Sequence, residues 1–186
     1  MSKIELINAS CADQEVDAVV NAANDGLWAG GGICGVIFDK AGRELSGACN
    51  KYNTPLNDGD AVITPAFNMK NAKVIIHAVG PDFRSASATE EGLFMAYYNS
   101  LVVLKENGYR SISFPLISSS IFGGDRERKV EESVKQCVLA FKKFTEDYPD
   151  YQIDVKLCAF TGSEMEKARK EFNLQMEINR LLGENK

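Results

Sequence analysis

One stretch constrains this chain more than any other: residues 17–35, D-A-V-V-N-A-A-N-D-G-L-W-A-G-G-G-I-C-G. An apolar run, Ala18-Val19-Val20, ends in two asparagines, Asn21 and Asn24. Three consecutive glycines follow, Gly30, Gly31 and Gly32, with Gly35 three positions on. A continuous apolar run reads as a strand covered on both faces. Glycines without a Cβ let the next segment turn sharply and approach a ligand closely. From Gly32, Ile33, Ile37, Ala41, Leu45 and Ala48 recur at intervals of three or four, the spacing of a helix. Buried strand, glycine loop and helix N-terminus in that order are the parts of a phosphate cradle, because the first amides of a helix lack intrahelical partners. A bare glycine triplet is equally compatible with a plain tight connection.

The remaining chain repeats the strand-then-helix pattern. Strands are predicted at 3–9, 16–22, 61–67, 73–80, 111–117 and 153–160. Thr89 is placed to cap a helix carrying Leu93, Tyr97, Leu101 and Leu104, which Asn107-Gly108 ends. Asp125 is placed to begin the next, with Val130, Val134, Val138, Phe141 and Phe144 on one face. Ser163 is placed to cap a last helix over about 163–183. Alternation of this kind predicts an α/β domain with helices on both faces of a largely parallel sheet. The length of 186 residues suits a single domain, 1–186. Ligands of such sheets bind outside the carboxyl ends of the strands. The loops at 25–35 and 118–124 both follow strands and are expected to meet at one rim.

Composition narrows the chemistry. With 45 % hydrophobic residues the chain can bury a core. The formal charge of −5 disfavours nucleic-acid binding as the main activity, since phosphate backbones reward cationic surfaces. Five scattered cysteines form no C-x-x-C pair and there is one histidine, so neither a disulfide framework nor a metal site is expected. No cofactor is implied. The sequence shows no membrane-length apolar run and no signal-peptide core at its start, so a cytoplasmic, monomeric protein without a membrane partner is expected.

Two further features carry chemistry. An asparagine at a strand exit can donate to one sugar hydroxyl and accept from another. Two asparagines three apart there seldom point the same way, so Asn21 is read as structural and Asn24 as facing ligand. The second loop, Ser118-Ser119-Ser120-Ile121-Phe122-Gly123-Gly124, offers amides and hydroxyls for a diphosphate and a ring to pack against a ribose. His77 lies inside the strand V-I-I-H-A-V and is read as structural. Trp28 either covers the cleft or anchors the first loop in the core.

The combination N-A-A-N, G-G-G-I-C-G, H-A-V-G-P at 77–81 and P-L-I-S-S-S-I-F-G at 115–123 resembles the macrodomain family, from about residue 4 to residue 172. The resemblance covers its O-acetyl-ADP-ribose deacetylase, ADP-ribosyl hydrolase and viral-type branches. It implies a three-layer α/β/α sandwich with a mixed, largely parallel sheet of roughly six strands. It also implies a cleft for ADP-ribose, free or on an ADP-ribosylated protein. By that resemblance Asn24 contacts the distal ribose and is the candidate catalytic residue. Gly30, Gly31, Gly32, Ile33 and Cys34 form the first diphosphate loop, and Ser118, Ser119, Ser120, Ile121, Phe122 and Gly123 the second. Phe160 matches an aromatic position near adenine.

Three positions depart from the family pattern. Ser10 stands where many members carry an aspartate that reads the adenine amino group; Asp13 and Asp17 are possible substitutes. Cys34 stands where hydrolytic members carry a carboxylate, and a thiol is a poorer proton acceptor for water. Ser120 replaces a glycine of the second loop. The leading expectation is a domain that binds ADP-ribose or a derivative. Any hydrolysis of ADP-ribosyl or O-acetyl-ADP-ribose linkages would use water held between Asn24, the substrate diphosphate and the glycine loop. The alternatives are a non-catalytic reader, favoured by Cys34, and a cleft retuned to another nucleotide or an RNA end, motivated by Ser10.

Overall fold

The computed structural model describes residues 1–185. Its centre is built by the most apolar strands, β2 (Ala18–Ala23) and β4 (Val74–Val79), which pair in parallel with Val20 opposite Ile76 and Asn21 opposite His77. With β1 (Lys3–Ile7), β3 (Ala61–Pro65), β5 (Ser111–Pro115) and β6 (Asp154–Cys158) they form one six-stranded sheet in the order β1-β6-β5-β2-β4-β3. All neighbours are parallel except β3, which runs antiparallel to β4 at the edge. The β3–β4 connection is too short to hold the helical crossover that a parallel pair requires.

Side chains alternate across the sheet and meet a helical layer on each face. Val20, Ile76, Ile112, Phe114 and Leu157 pack against α3 (Glu90–Glu106), α4 (Lys129–Asp147) and α5 (Gly162–Glu184). Within that layer Tyr97 meets Phe114 edge-on at 5.1 Å. Val19, Ala23, Ile75 and Val79 pack against α1 (Gly32–Ala41) and α2 (Glu44–Cys49) through Ile37, Phe38 and Leu45. The result is a three-layer α/β/α sandwich on a mixed sheet. No helix of the described residues is long and apolar enough to cross a membrane.

Three predicted helix boundaries move. The single helix expected from Gly32 through Ala48 is two helices, broken at Gly42, whose φ of 90° ends α1 while its N–H still donates to Phe38 O at 3.0 Å. Its apolar spacing runs on because both helices face the same sheet surface. α4 begins at Lys129 rather than Asp125, since Gly124 turns at φ 61° and residues 125–128 continue as turns rather than helix. α5 is capped by Thr161, not Ser163. Thr161 Oγ1 accepts from Glu164 N at 3.1 Å, and Glu164 Oε2 accepts from Thr161 N at 3.2 Å, a reciprocal capping box.

Asn21 and His77 are structural. Asn21 Nδ2 lies 3.0 Å from His77 Nδ1, and His77 Nε2 lies 3.0 Å from Thr64 Oγ1. The amide nitrogen can only donate, so Nδ1 accepts and Nε2 carries the proton toward Thr64. Burial pushes the His77 pKa down to about 4, so the ring is a neutral pin joining β2, β4 and β3.

Candidate functional site

The five parallel strands all release their loops at one rim, and the cleft there draws residues from each. One cavity of about 460 Å³ holds Asn24, Trp28, Gly30, Gly31 and Cys34 of the first loop and Ser118 and Phe122 of the second. A second, of about 490 Å³, holds Ser10 after β1 and Phe160 after β6. Gly32, Ile33, Leu116, Ser119 and Ser120 line both, so the two are ends of one cleft. Of the residues assigned to the two diphosphate loops, Gly123 alone is absent from the lining. A Cβ there would sit 2.5 Å from Lys129 Cδ and 2.9 Å from Ser118 O, so its role is close packing.

The first loop is held by its own groups. Asn24 Nδ2 donates to Trp28 O at 2.8 Å and its Oδ1 accepts from Trp28 N at 3.1 Å. Each amide group retains one further donor or acceptor capacity for a ligand. The Cys34 thiol is buried, accepts from Gly30 N at 3.4 Å and donates to Trp28 O at 3.7 Å. It is a clip between the loop and α1. Leu27, buried at φ 57°, is the loop's anchor in the core, whereas the Trp28 ring is 61 % exposed and lies over Gly26 at the cleft. The N-cap of α1 is Gly31, which has no side chain to cap with, and helical bonding starts only at Gly35 N to Gly31 O. The amides of Gly32, Ile33 and Cys34 therefore lack intrahelical acceptors at the positive end of the helix dipole. Gly35 is required for another reason: a Cβ there would be 2.8 Å from Gly30 O.

The second loop is braced from below. Ile117 N donates to Tyr97 OH at 2.9 Å, Ser133 Oγ donates to Ile117 O at 2.6 Å, and the Tyr97 hydroxyl lies 2.6 Å from Ser133 Oγ. Ser118, at φ 56°, donates its hydroxyl to Pro81 O, and Ser119 donates to Leu116 O. These hydroxyls were expected to face a ligand as donors; they instead satisfy buried carbonyls, and the loop presents mainly backbone amides. Gly80 permits the close approach, since a Cβ there would meet Ser118 Oγ at 2.5 Å.

At the far end, Phe160 is 71 % exposed and its backbone is fixed by Glu164 Oε2 at 3.2 Å and by Asn8 Nδ2, which donates to Phe160 O at 3.2 Å. Ser10 faces the same cavity, with Oγ accepting from Ala12 N at 3.3 Å. Asp13 lines that cavity too, paired with Lys40 at 2.7 Å. Asp17 does not: it binds the amides of Arg110 and Ser111 and the Lys73 ammonium at the start of the strands.

Three residues went unseen in the sequence. Asp25, Asp82 and Arg84 line the Asn24 end, the last two from the loop after β4. Arg84 holds Asp82 in a two-pronged ion pair at 2.7 Å, and those hydrogen bonds keep the Asp82 carboxyl below its ordinary pKa. Nearby, burial and then the charges of Asp25 and Asp82 raise the Asp58 carboxyl. The segment H-A-V-G-P-D-F-R leaves β4 at the same rim, which is the sequence signal for Asp82 and Arg84.

A parallel-sheet rim with two small-residue loops and an uncapped helix start defines a protein built to hold an anionic ligand in an open cleft. The chain belongs to the Macro domain family, whose sequence signature matches residues 20–133. It is 41 % identical over 138 residues to the O-acetyl-ADP-ribose deacetylase of Escherichia fergusonii, covering 72 % of this chain and 77 % of that one. The protein of the same description from Salmonella typhimurium is 40 % identical over 138 residues, 72 % of this chain and 76 % of its own. Among solved structures, the Oceanobacillus iheyensis macrodomain with ADP superimposes with a TM-score of 0.85 at 27 % identity, covering 95 % of this chain and 93 % of that chain. The Trypanosoma brucei macrodomain in complex with ADP-ribose gives 0.78 at 27 % identity, covering 90 % and 68 %.

Proposed function

We propose that this cleft binds ADP-ribose or a close derivative. The observation that carries the reading is the uncapped start of α1 facing the amide-rich second loop across one cleft. The diphosphate lies between the loops, on the amides of Gly32, Ile33 and Cys34 and of the 118–122 segment. Adenine lies against Phe160 and Ser10, and the distal ribose beside Asn24 and Phe122. The relatives described as O-acetyl-ADP-ribose deacetylases support hydrolysis at that ribose, with Asn24 orienting water against the bound diphosphate.

A second reading, a non-catalytic reader of ADP-ribose, is favoured by Cys34. Its thiol is committed to Gly30 and Trp28, and Asp82 is committed to Arg84, so neither stands ready as a proton acceptor. Calorimetry with ADP-ribose tests binding. Turnover of O-acetyl-ADP-ribose and of an ADP-ribosylated protein separates the readings: product above the uncatalysed rate supports the enzyme, and unchanged substrate at high protein concentration supports the reader.

A further inference from the structure

Beside the cleft lies a groove of about 760 Å³ between the loop after β4 and the start of α4. It opens off the Asn24 end of the cleft, sharing Arg84, Ser120 and Ile121 with it. Its charged lining is Arg84, Arg126 and Lys129 against one carboxylate, Asp125. On a chain of net charge −5 this is a local reversal of sign.

Two of the three cations are uncompensated. Arg126 stacks its guanidinium on the Phe83 ring at 3.6 Å, and its Nη1 is buried with no hydrogen-bond partner among the described residues. Lys129 Nζ donates to the carbonyls of Gly124 at 3.1 Å and Ser120 at 3.4 Å. Neither forms an ion pair among the described residues. Arg126 lines the groove and is only partly buried, so the edge of its planar guanidinium that faces the groove suits a carboxylate entering there. The stack also fixes the cation in place, so little side-chain entropy remains to be lost on binding.

We propose that this groove receives an acidic peptide segment flanking the modified residue of an ADP-ribosylated protein. The proposal rests on the ADP-ribose reading above, which puts the distal ribose at Asn24 and Phe122. Whatever is attached to that ribose then leaves the cleft at Arg84 and Ile121, into the groove. A second nucleotide fits the groove less well. The Phe83 face is already covered by Arg126, so no bare ring is offered for a base, and the exposed apolar surface is the aliphatic Ile121, 66 % exposed. The acidic remainder of the surface repels an acidic segment elsewhere, which makes the groove selective.

The test titrates the full chain with free ADP-ribose and with peptides that carry ADP-ribose through a hydrolysis-resistant linkage, flanked by Asp/Glu, by Ser/Gly or by Lys. The acidic peptide should bind about tenfold more tightly than the neutral one at low salt, the scale of one charge-assisted contact. The Lys-flanked peptide should bind more weakly than either, and the spread should shrink as salt rises. Arg126→Gln should bring the acidic-to-neutral ratio close to one, and Arg126→Glu should invert it, with free ADP-ribose as the check that each variant is folded. Equal affinities for the three peptides overturn the proposal. So does a variant that loses affinity for a two-unit ADP-ribose chain while its acidic-to-neutral ratio is kept. Failure of free ADP-ribose to bind at all overturns the function reading instead.

Discussion

Gly35 offers the sharpest check on how the first loop is built, because two effects of opposite sign meet there. It sits inside α1, where replacing glycine by alanine normally stabilises a helix by up to about 1 kcal/mol. Here the new Cβ would lie 2.8 Å from the Gly30 carbonyl oxygen, a backbone atom that cannot swing away. Restoring an ordinary contact moves the 30–32 segment by about half an ångström. Overpacking of this kind costs about 1–3 kcal/mol, so Gly35→Ala is expected to lose a net of roughly 0–2 kcal/mol rather than gain. Each kilocalorie corresponds to about 2–4 °C in Tm for a chain of this size. The larger effect falls on binding. Amide contacts to a charged phosphate are worth about 1.5–3 kcal/mol each, and misplacing one or two should weaken ADP-ribose binding at least about tenfold. Thermal unfolding and calorimetry on the same preparation read both quantities. A variant that melts higher than the parent and binds ADP-ribose equally well would refute the reasoning.

Tyr97→Phe removes the acceptor of the buried Ile117 amide and the partner of Ser133. Stability measured by denaturant should fall by about 1–3 kcal/mol with weaker ADP-ribose binding, and a loss within error would remove the brace from the account. His77 is held neutral with its folded pKa about 4, below its unfolded value of 6.5. Its contribution is therefore full above pH 6.5 and is lost as the unfolded chain gains a proton toward pH 4, about 3 kcal/mol over that window. The pH slope of stability should flatten in His77→Gln across that window; parallel slopes would contradict the assignment. Phe160→Ala should leave Tm almost unchanged, since the ring is exposed, while adenine-containing ligands lose about 1–3 kcal/mol of binding. Equal affinity would move adenine away from that ring.

The layered architecture and the position of the rim were legible because they follow from local signals: apolar runs, helical spacing, and small residues immediately after strands. Other features depend on contacts that no local pattern contains. The break at Gly42 left no trace in the apolar spacing, since α1 and α2 lie on the same sheet face. Thr161 and Ser163 each stand three residues before a glutamate, Glu164 and Glu166, so both fit a capping box. The choice fell to Thr161, with Glu164 also holding Phe160 N and with Met165 and Ala168 turned into the core. The inward turn of the Ser118 and Ser119 hydroxyls follows from a left-handed residue at 118 and from Gly80 beneath it. Asn24 was placed at the cleft, yet its grip on both backbone groups of Trp28 was not foreseeable, because it depends on the fold-back of residues 24–28.

Titration of ADP-ribose into the wild-type chain and into Gly32→Glu asks whether the diphosphate sits at the start of α1. Gly32 stands at φ 59° with open space around it, so the added carboxylate is strained but enters the cleft rather than the core. It would occupy the positive end of α1 where the diphosphate is placed. The wild type should bind at millimolar ligand, and a folded Gly32→Glu should not. Wild type that binds no ADP-ribose at that concentration, or a variant that binds it as the wild type does, would contradict that placement.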